Sequence, residues 1–148
     1  MKLLVRDTLV SQALGSLGST QYQYLWVEDE GLRKNIVEDG EHSCAYFITS
    51  LLHNLRLLDR MHATIKTTRP DLERHGWVLV REPKPGAVII WEEQRGHEHI
   101  GIYIQDEEAI SNSTSLRVPK IHDWLFRSDQ TPDGRKAVEI YVHPSLDD

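Results

Sequence analysis

One cysteine and two polar residues downstream of it are the side chains of this chain best suited to covalent chemistry. Cys44 is the only cysteine among 148 residues, His99 opens an apolar run, and Asn112 stands in the next such run. A thiol, an imidazole and an amide that orients the imidazole together form a set that performs nucleophilic catalysis at a carbonyl carbon. The competing interpretation is that Cys44 is a small buried core residue, as free cysteines often are.

The pattern around Cys44 predicts a helix that begins at this residue. Ser43 is a favourable N-cap, and Glu41 places a negative charge near the positive end of the helix dipole. Apolar residues then recur at spacings of three and four, namely Phe47, Ile48, Leu51, Leu52, Leu55 and Leu58. Unpaired N–H groups at a helix start favour a thiolate, so we expect the pKa of Cys44 to be lowered.

The residues around His99 and Asn112 predict two neighbouring antiparallel strands. If a two-residue turn lies at residues 106–107, Gly101 pairs with Asn112, and the amide lies diagonal to His99 on one face. Gly101 shares that face and has no side chain, which leaves room for another group. A slip of one residue in this pairing would place Ser111, in place of Asn112, beside His99.

The elements that must position these residues are helices first and strands later. A weak helical pattern covers residues 1–14, residues 62–68 favour an extended stretch, and residues 68–71 resemble the start of a helix that Gly76 ends, with Pro70 in its first turn. Strands are predicted over residues 77–80, 87–91, 100–104, 108–113 and 136–142. This order predicts an α+β fold with a mainly antiparallel sheet, in one domain over residues 1–148 with its core at about residues 43–142.

Three motifs in this order resemble the NlpC-type cell-wall peptidases, a branch of the papain-like cysteine peptidases. They are the helix-start Cys44, the Pro85-Gly86 turn before an apolar strand that ends at Trp91, and the run from His99 to Ile104 followed by a strand through Ser111 and Asn112. The family usually has Asp-Cys-Ser-Gly around its cysteine and Asp after the Pro-Gly pair, whereas this chain has Ser43-Cys44-Ala45-Tyr46 and Ala87.

The resemblance implies a papain-like core in which the cysteine-bearing helix packs on the sheet. It implies an enzyme that hydrolyses an amide bond by a Cys-His-Asn mechanism, with Cys44, His99 and Asn112 as the three residues. The implied substrate bond is a stem-peptide or glycan–peptide linkage of peptidoglycan. A gap-free alignment puts Ser111 at the third position, but an amide orients an imidazole better than a hydroxyl. The alternative is an inactive papain-like module that binds cell-wall glycan or peptide.

Composition and charge limit the partners of the chain. A formal net charge of -6 and a pI of about 5.7 argue against nucleic acid or an anionic membrane as the main partner. The apolar start, residues 1–5, is too short for a signal peptide or a membrane span, so we expect a cytoplasmic product that reaches the wall, if at all, by another route. We therefore expect a peptide or peptidoglycan substrate, and composition leaves the oligomeric state open.

A metal site is the rival enzyme class. His97 and His99 lie two apart on one predicted strand, with Glu92 or Glu93 nearby. No further ligand stands at a recognisable spacing, and a metal enzyme of this kind would leave the lone cysteine without a role. We therefore expect neither a metal nor another cofactor.

Overall fold

Helices precede most strands in the computed structural model of the protein, which describes residues 1–40 and 42–147. Glu41, the acidic residue expected near the helix dipole, lies outside the described residues. The helices are α1 (Val5–Gly15), α2 (Cys44–Asn54) and α3 (Ile65–Arg74), with short 3-10 helices at Glu38–Gly40 and Pro144–Asp147. The strands are β1 (Trp26–Asp29), β2 (Leu32–Asn35), β3 (Val78–Leu79), β4 (Val88–Gln94), β5 (His97–Gln105), β6 (Glu108–Asn112), β7 (Pro119–Asp123) and β8 (Ala137–Val142).

The start of α2 falls at Cys44, as the sequence predicts, but its cap differs. The side chain of Ser43 makes no capping hydrogen bond; its hydroxyl donates to the carbonyl of Tyr22 at 2.5 Å in a fully buried position. Because the Ser43 hydroxyl bonds Tyr22, it does not cap the first N–H groups of α2. These N–H groups face the side chain of Cys44.

The start of α3 differs from the predicted one. The helix begins at Ile65, because Oγ1 of Thr64 accepts the N–H of Thr67 at 3.2 Å and so caps it. The extended stretch predicted at residues 62–68 is therefore wrong, and Pro70 lies inside the helix instead of in its first turn.

The sheet is antiparallel throughout, which confirms the predicted α+β class. Its six strands follow the order β3-β8-β4-β5-β6-β7, and β1 and β2 form a separate hairpin. Sequence patterns missed the hairpin and β7. Both carry polar and charged residues in place of the usual alternation of apolar and polar residues along a strand.

The two faces of the six-stranded sheet carry different neighbours. One face packs against α2, and the larger buried apolar cluster lies there, including Phe47 of α2 and Ile100 and Ile110 of the sheet. The other face holds a small aromatic cluster around Ile89, Trp91 and Ala109, partly covered by Phe126 and Trp124. Since side chains alternate along a strand, neighbouring residues of β5 and β6 lie on opposite faces.

The predicted pairing of β5 with β6 is wrong by one residue. The turn lies where it was expected, because Gln105 pairs with Glu108 across residues 106–107. Beyond it an irregularity between Tyr103 and Gln105 adds one residue to β5, so Gly101 pairs with Ser111 and not with Asn112. Beyond such a bulge the pairing is shifted by one residue, so each β6 side chain lies on the opposite face from the one predicted relative to β5.

None of the helices within residues 1–40 and 42–147 is long and apolar enough to cross a membrane.

Candidate active site

Helix α2 places Cys44 against the middle strands of the sheet. Its side chain is partly buried, and the backbone N–H groups of Ile100, Ala45 and Cys44 itself act on the sulfur as hydrogen-bond donors. Ile100 directly follows His99 on β5. His42 stands two residues before Cys44 and His97 two residues before His99, and the rings of His42 and His97 lie 5.7 Å apart. The fold therefore brings the thiol to the backbone of β5 next to His99, whose ring lies on the sheet face that carries Trp91 and Phe126.

The electrostatic balance at Cys44 differs from the expected one. Burial raises the pKa of Cys44, and this effect outweighs the N–H groups and the positive charge of Arg135, which act in the opposite direction. The prediction that the helix start lowers the pKa is wrong, because loss of solvation penalises a thiolate more than three N–H groups stabilise it. At neutral pH the resting group is a protonated thiol.

His99 is a buried, neutral imidazole. Its side chain packs on Trp91, with ring centres 5.5 Å apart, and meets the edge of Phe126 at 5.8 Å. Burial, with smaller contributions from the positive charge of Arg135 and from the neighbouring His122, lowers the pKa of His99 to about 3. An imidazole that stays unprotonated at neutral pH can accept a proton from a thiol.

Ser111, not Asn112, lies beside His99. Nε2 of His99 is 2.9 Å from Oγ of Ser111, as expected from the pairing of Ser111 with Gly101. A Cβ at Gly101 would lie 2.9 Å from Cβ of Ser111 and 2.8 Å from the Trp91 ring, so the missing side chain gives both groups their space. The predicted room beside Gly101 is confirmed.

Asn112 takes a different position from the one predicted. It lies on the face toward α2, where its Nδ2 donates to the carbonyl of Gly40 at 2.7 Å, and its side chain is fully buried. The predicted contact with His99 is wrong, since the bulge in β5 turned Asn112 to the opposite face of β6. Asn112 instead ties β6 to the chain that leads into Cys44.

Two groups near the site were missed by sequence reasoning. His122 of β7 lies 2.7 Å from Oγ of Ser111 through its Nε2. Arg135 is held by the carbonyls of Glu92 and His97, at 2.8 and 2.7 Å, and its charge acts on both Cys44 and His99. Recognition of β7 as a strand would have placed His122 on the face of Ser111; no local pattern marks Arg135.

A cleft of about 700 Å³ opens beside His99 and Ser111. Among residues 1–40 and 42–147, its lining carries four cationic side chains and no carboxylate: Arg95, Arg117, Lys120 and Arg135. In a chain with a net charge of -6, this concentrates positive charge at one surface. Cys44 does not line the cleft; its sulfur meets β5 from the side of α2.

The donors needed for a metal do not converge at His97 and His99. Among residues 1–40 and 42–147, the group of three whose donor atoms lie close enough is Asp59, Asp71 and His75. Those side chains already have close partners, with Nε2 of His75 2.5 Å from Asp59 and Asp71 2.6 Å from His62. They lie in α3, directly after it and in the stretch before it, and not in the site around Cys44.

A helix that starts at a cysteine and packs on an antiparallel sheet, with a histidine on the adjoining strand, defines a papain-like α+β fold of the NlpC type. Among solved structures, the chain is similar to NlpC2 from Trichomonas vaginalis, with a TM-score of 0.58 and 16% sequence identity. The match covers 93% of this chain and 48% of that structure, so the chain spans about half the length of its structural neighbour. No protein-family model and no curated protein matches the sequence.

Proposed function

We propose that the protein is a cysteine hydrolase that cleaves an amide bond, with Cys44 as the nucleophile and His99 as the general base. The observation that carries the proposal is the packing of α2 on β5, which sets Cys44 beside Ile100, the residue that follows His99. Ser111 holds the other side of the imidazole at Nε2, which leaves Nδ1 to take the thiol proton.

The chemistry follows from the neutral state of both groups. Nδ1 of His99 removes the thiol proton as the sulfur attacks the carbonyl carbon, so no resting ion pair is required. The backbone N–H of Cys44 stabilises the oxyanion of the tetrahedral intermediate. The imidazolium then gives its proton to the leaving amine, and water hydrolyses the thioester.

The proposed substrate is a peptide linkage of peptidoglycan. Its support is the sequence resemblance to cell-wall peptidases and the cationic cleft beside His99 and Ser111, which suits a peptide that carries free carboxylates. Lys120 and Arg95 contribute two of the positive charges of this cleft.

The test is digestion of purified peptidoglycan, with soluble peptides identified by mass spectrometry. We expect release by the wild type and none by Cys44→Ala. Ser50→Ala is the matched control, since it also removes one heteroatom from α2 and should leave the release unchanged. If no peptidoglycan type released soluble peptide, the assignment of peptidoglycan as the substrate would be overturned.

The second candidate is a non-catalytic module that binds wall glycan or peptide. The observation in its favour is the raised pKa of Cys44, since a buried protonated thiol is typical of a structural cysteine. Co-sedimentation of wild type and Cys44→Ala with peptidoglycan separates the candidates. Equal binding by both, with no product from either, would favour the module.

A further inference from the structure

The candidate base His99 and two side chains behind it form a hydrogen-bonded chain that ends at a backbone carbonyl. Nε2 of His99 is 2.9 Å from Oγ of Ser111, Oγ of Ser111 is 2.7 Å from Nε2 of His122, and Nδ1 of His122 is 2.7 Å from the carbonyl oxygen of Asp123. The first two links cross from β5 to β6 and from β6 to β7, and the third lies within β7.

The direction of each hydrogen bond follows from the last member. A carbonyl oxygen only accepts, so Nδ1 of His122 carries the proton and its Nε2, in the neutral ring, accepts. The hydroxyl of Ser111 therefore donates to His122, and its oxygen accepts the Nε2–H of His99. In a neutral His99 ring, the unprotonated nitrogen is then Nδ1.

We propose that His122 is a positioning residue that fixes the tautomer of His99 through Ser111, so that the basic nitrogen Nδ1 is the one that takes the thiol proton. This rests on the proposed function of Cys44 and His99. Without His122, the Ser111 hydroxyl is able to turn and donate to Nε2 of His99, which would place the proton on Nδ1 and remove the base.

The packing around His122 fits this role. Phe126 stacks on the imidazole with ring centres 3.9 Å apart and planes 16° apart, and Trp91 lies 5.5 Å away. Burial lowers the pKa of His122, which keeps its ring neutral and its Nε2 able to accept. Among the described hydrogen bonds, the link from His122 to His99 runs through Ser111.

The experiment is ¹⁵N NMR of the histidine rings at neutral pH, together with the rate of Cys44 alkylation by iodoacetamide. In the wild type we expect protonated Nε2 on His99 and protonated Nδ1 on His122, with His99 assigned by its absence in His99→Gln. His122→Leu should move the His99 proton toward Nδ1 and slow alkylation about tenfold. His122→Gln, which retains an acceptor for Ser111, should restore most of the rate.

The matched control is His143→Leu. His143 also bonds a backbone carbonyl, that of His75 at 2.7 Å, and packs on Trp77, but it lies away from Cys44. It should change neither the tautomer nor the alkylation rate. An unchanged His99 tautomer and rate in His122→Leu would overturn the proposal. A wild-type spectrum in which His122 carries its proton on Nε2 would also overturn the proposal. This outcome depends neither on the folding of a variant nor on the release of peptide.

Discussion

Nε2 of His99 and Oγ of Ser111 lie 2.9 Å apart, across the two antiparallel strands β5 and β6. This contact exists because a bulge near the β5–β6 turn shifts the pairing by one residue. The hydroxyl of Ser111, and not the amide of Asn112, is therefore the group that orients the imidazole.

Ser111→Ala and Asn112→Ala should separate the orienting residue from a purely structural one. Loss of the Ser111 hydroxyl should lower kcat/KM for peptide release by about 100-fold. It should also lower the free energy of unfolding by about 1–3 kcal/mol, because His99 and His122 both lose a partner. Asn112→Ala should lower the free energy of unfolding by about 1–3 kcal/mol, because the carbonyl of Gly40 loses its buried partner. A loss of kcat/KM in Asn112→Ala but not in Ser111→Ala would return the orienting role to Asn112.

The activity should vary little with pH around neutrality. Because the pKa of His99 lies at about 3 and that of Cys44 is raised, neither group changes its charge near neutral pH. We expect kcat/KM to be flat between about pH 5 and pH 8. A profile with an acid limb near pH 6 would instead indicate a solvated His99. Peptide release, measured in buffers of constant ionic strength, provides this check.

Acid should destabilise the protein partly through His99. The folded pKa of about 3 lies below the ordinary value of 6.5, so as the pH falls the unfolded chain binds the proton first and the folded state loses stability. Between these two values His99 should contribute a loss of about 1.4 kcal/mol per pH unit. His99→Gln should show a correspondingly flatter dependence of the free energy of unfolding on pH, and an equal slope in both proteins would contradict the burial of a neutral ring.

Arg135→Gln should weaken the site without removing its nucleophile. The guanidinium stabilises negative charge at Cys44, so its loss should raise the pKa of the thiol further and slow both alkylation and peptide release, about tenfold for a lost charge of this kind. Lys120→Gln, which removes a charge from the cleft but not one that acts on Cys44, is the control for alkylation. Equal alkylation rates in the two variants would count against the role of Arg135.

Gly101→Ala should disturb the site through space alone. A Cβ at this position would lie 2.7 Å from the carbonyl of Ile110, 2.8 Å from Trp91 and 2.9 Å from Ser111. We expect a loss of about 1–3 kcal/mol in unfolding free energy and a displaced Ser111, visible as a changed His99 ring signal. Gly96→Ala, whose Cβ meets nothing but whose backbone is left-handed, tests for a general loss from replacing a glycine. An unchanged His99 signal in Gly101→Ala would show that the strands adjust without moving Ser111.

Local patterns were sufficient for the elements that rest on a repeating apolar signal. The stripe after Cys44 predicted α2 and its first residue, and the apolar runs predicted β4, β5, β6 and β8 with the antiparallel arrangement. The start of α3 was misplaced because a capping threonine, Thr64, outweighed a proline signal. The β1–β2 hairpin and β7 were missed because their exposed faces are polar.

By itself, the sequence determined which residues are able to react and the order in which the chain presents them, since Cys44, His99 and the strand after it follow from residue type and spacing. Only the tertiary structure decided what those residues meet. Strand pairing depends on a bulge that no local pattern marks, so Ser111, and not Asn112, lies beside His99. Burial, which depends on all neighbouring elements together, raised the pKa of Cys44 and lowered that of His99. The approach of His122 and Arg135 likewise arises from contacts between residues far apart in the chain, which spacing does not encode.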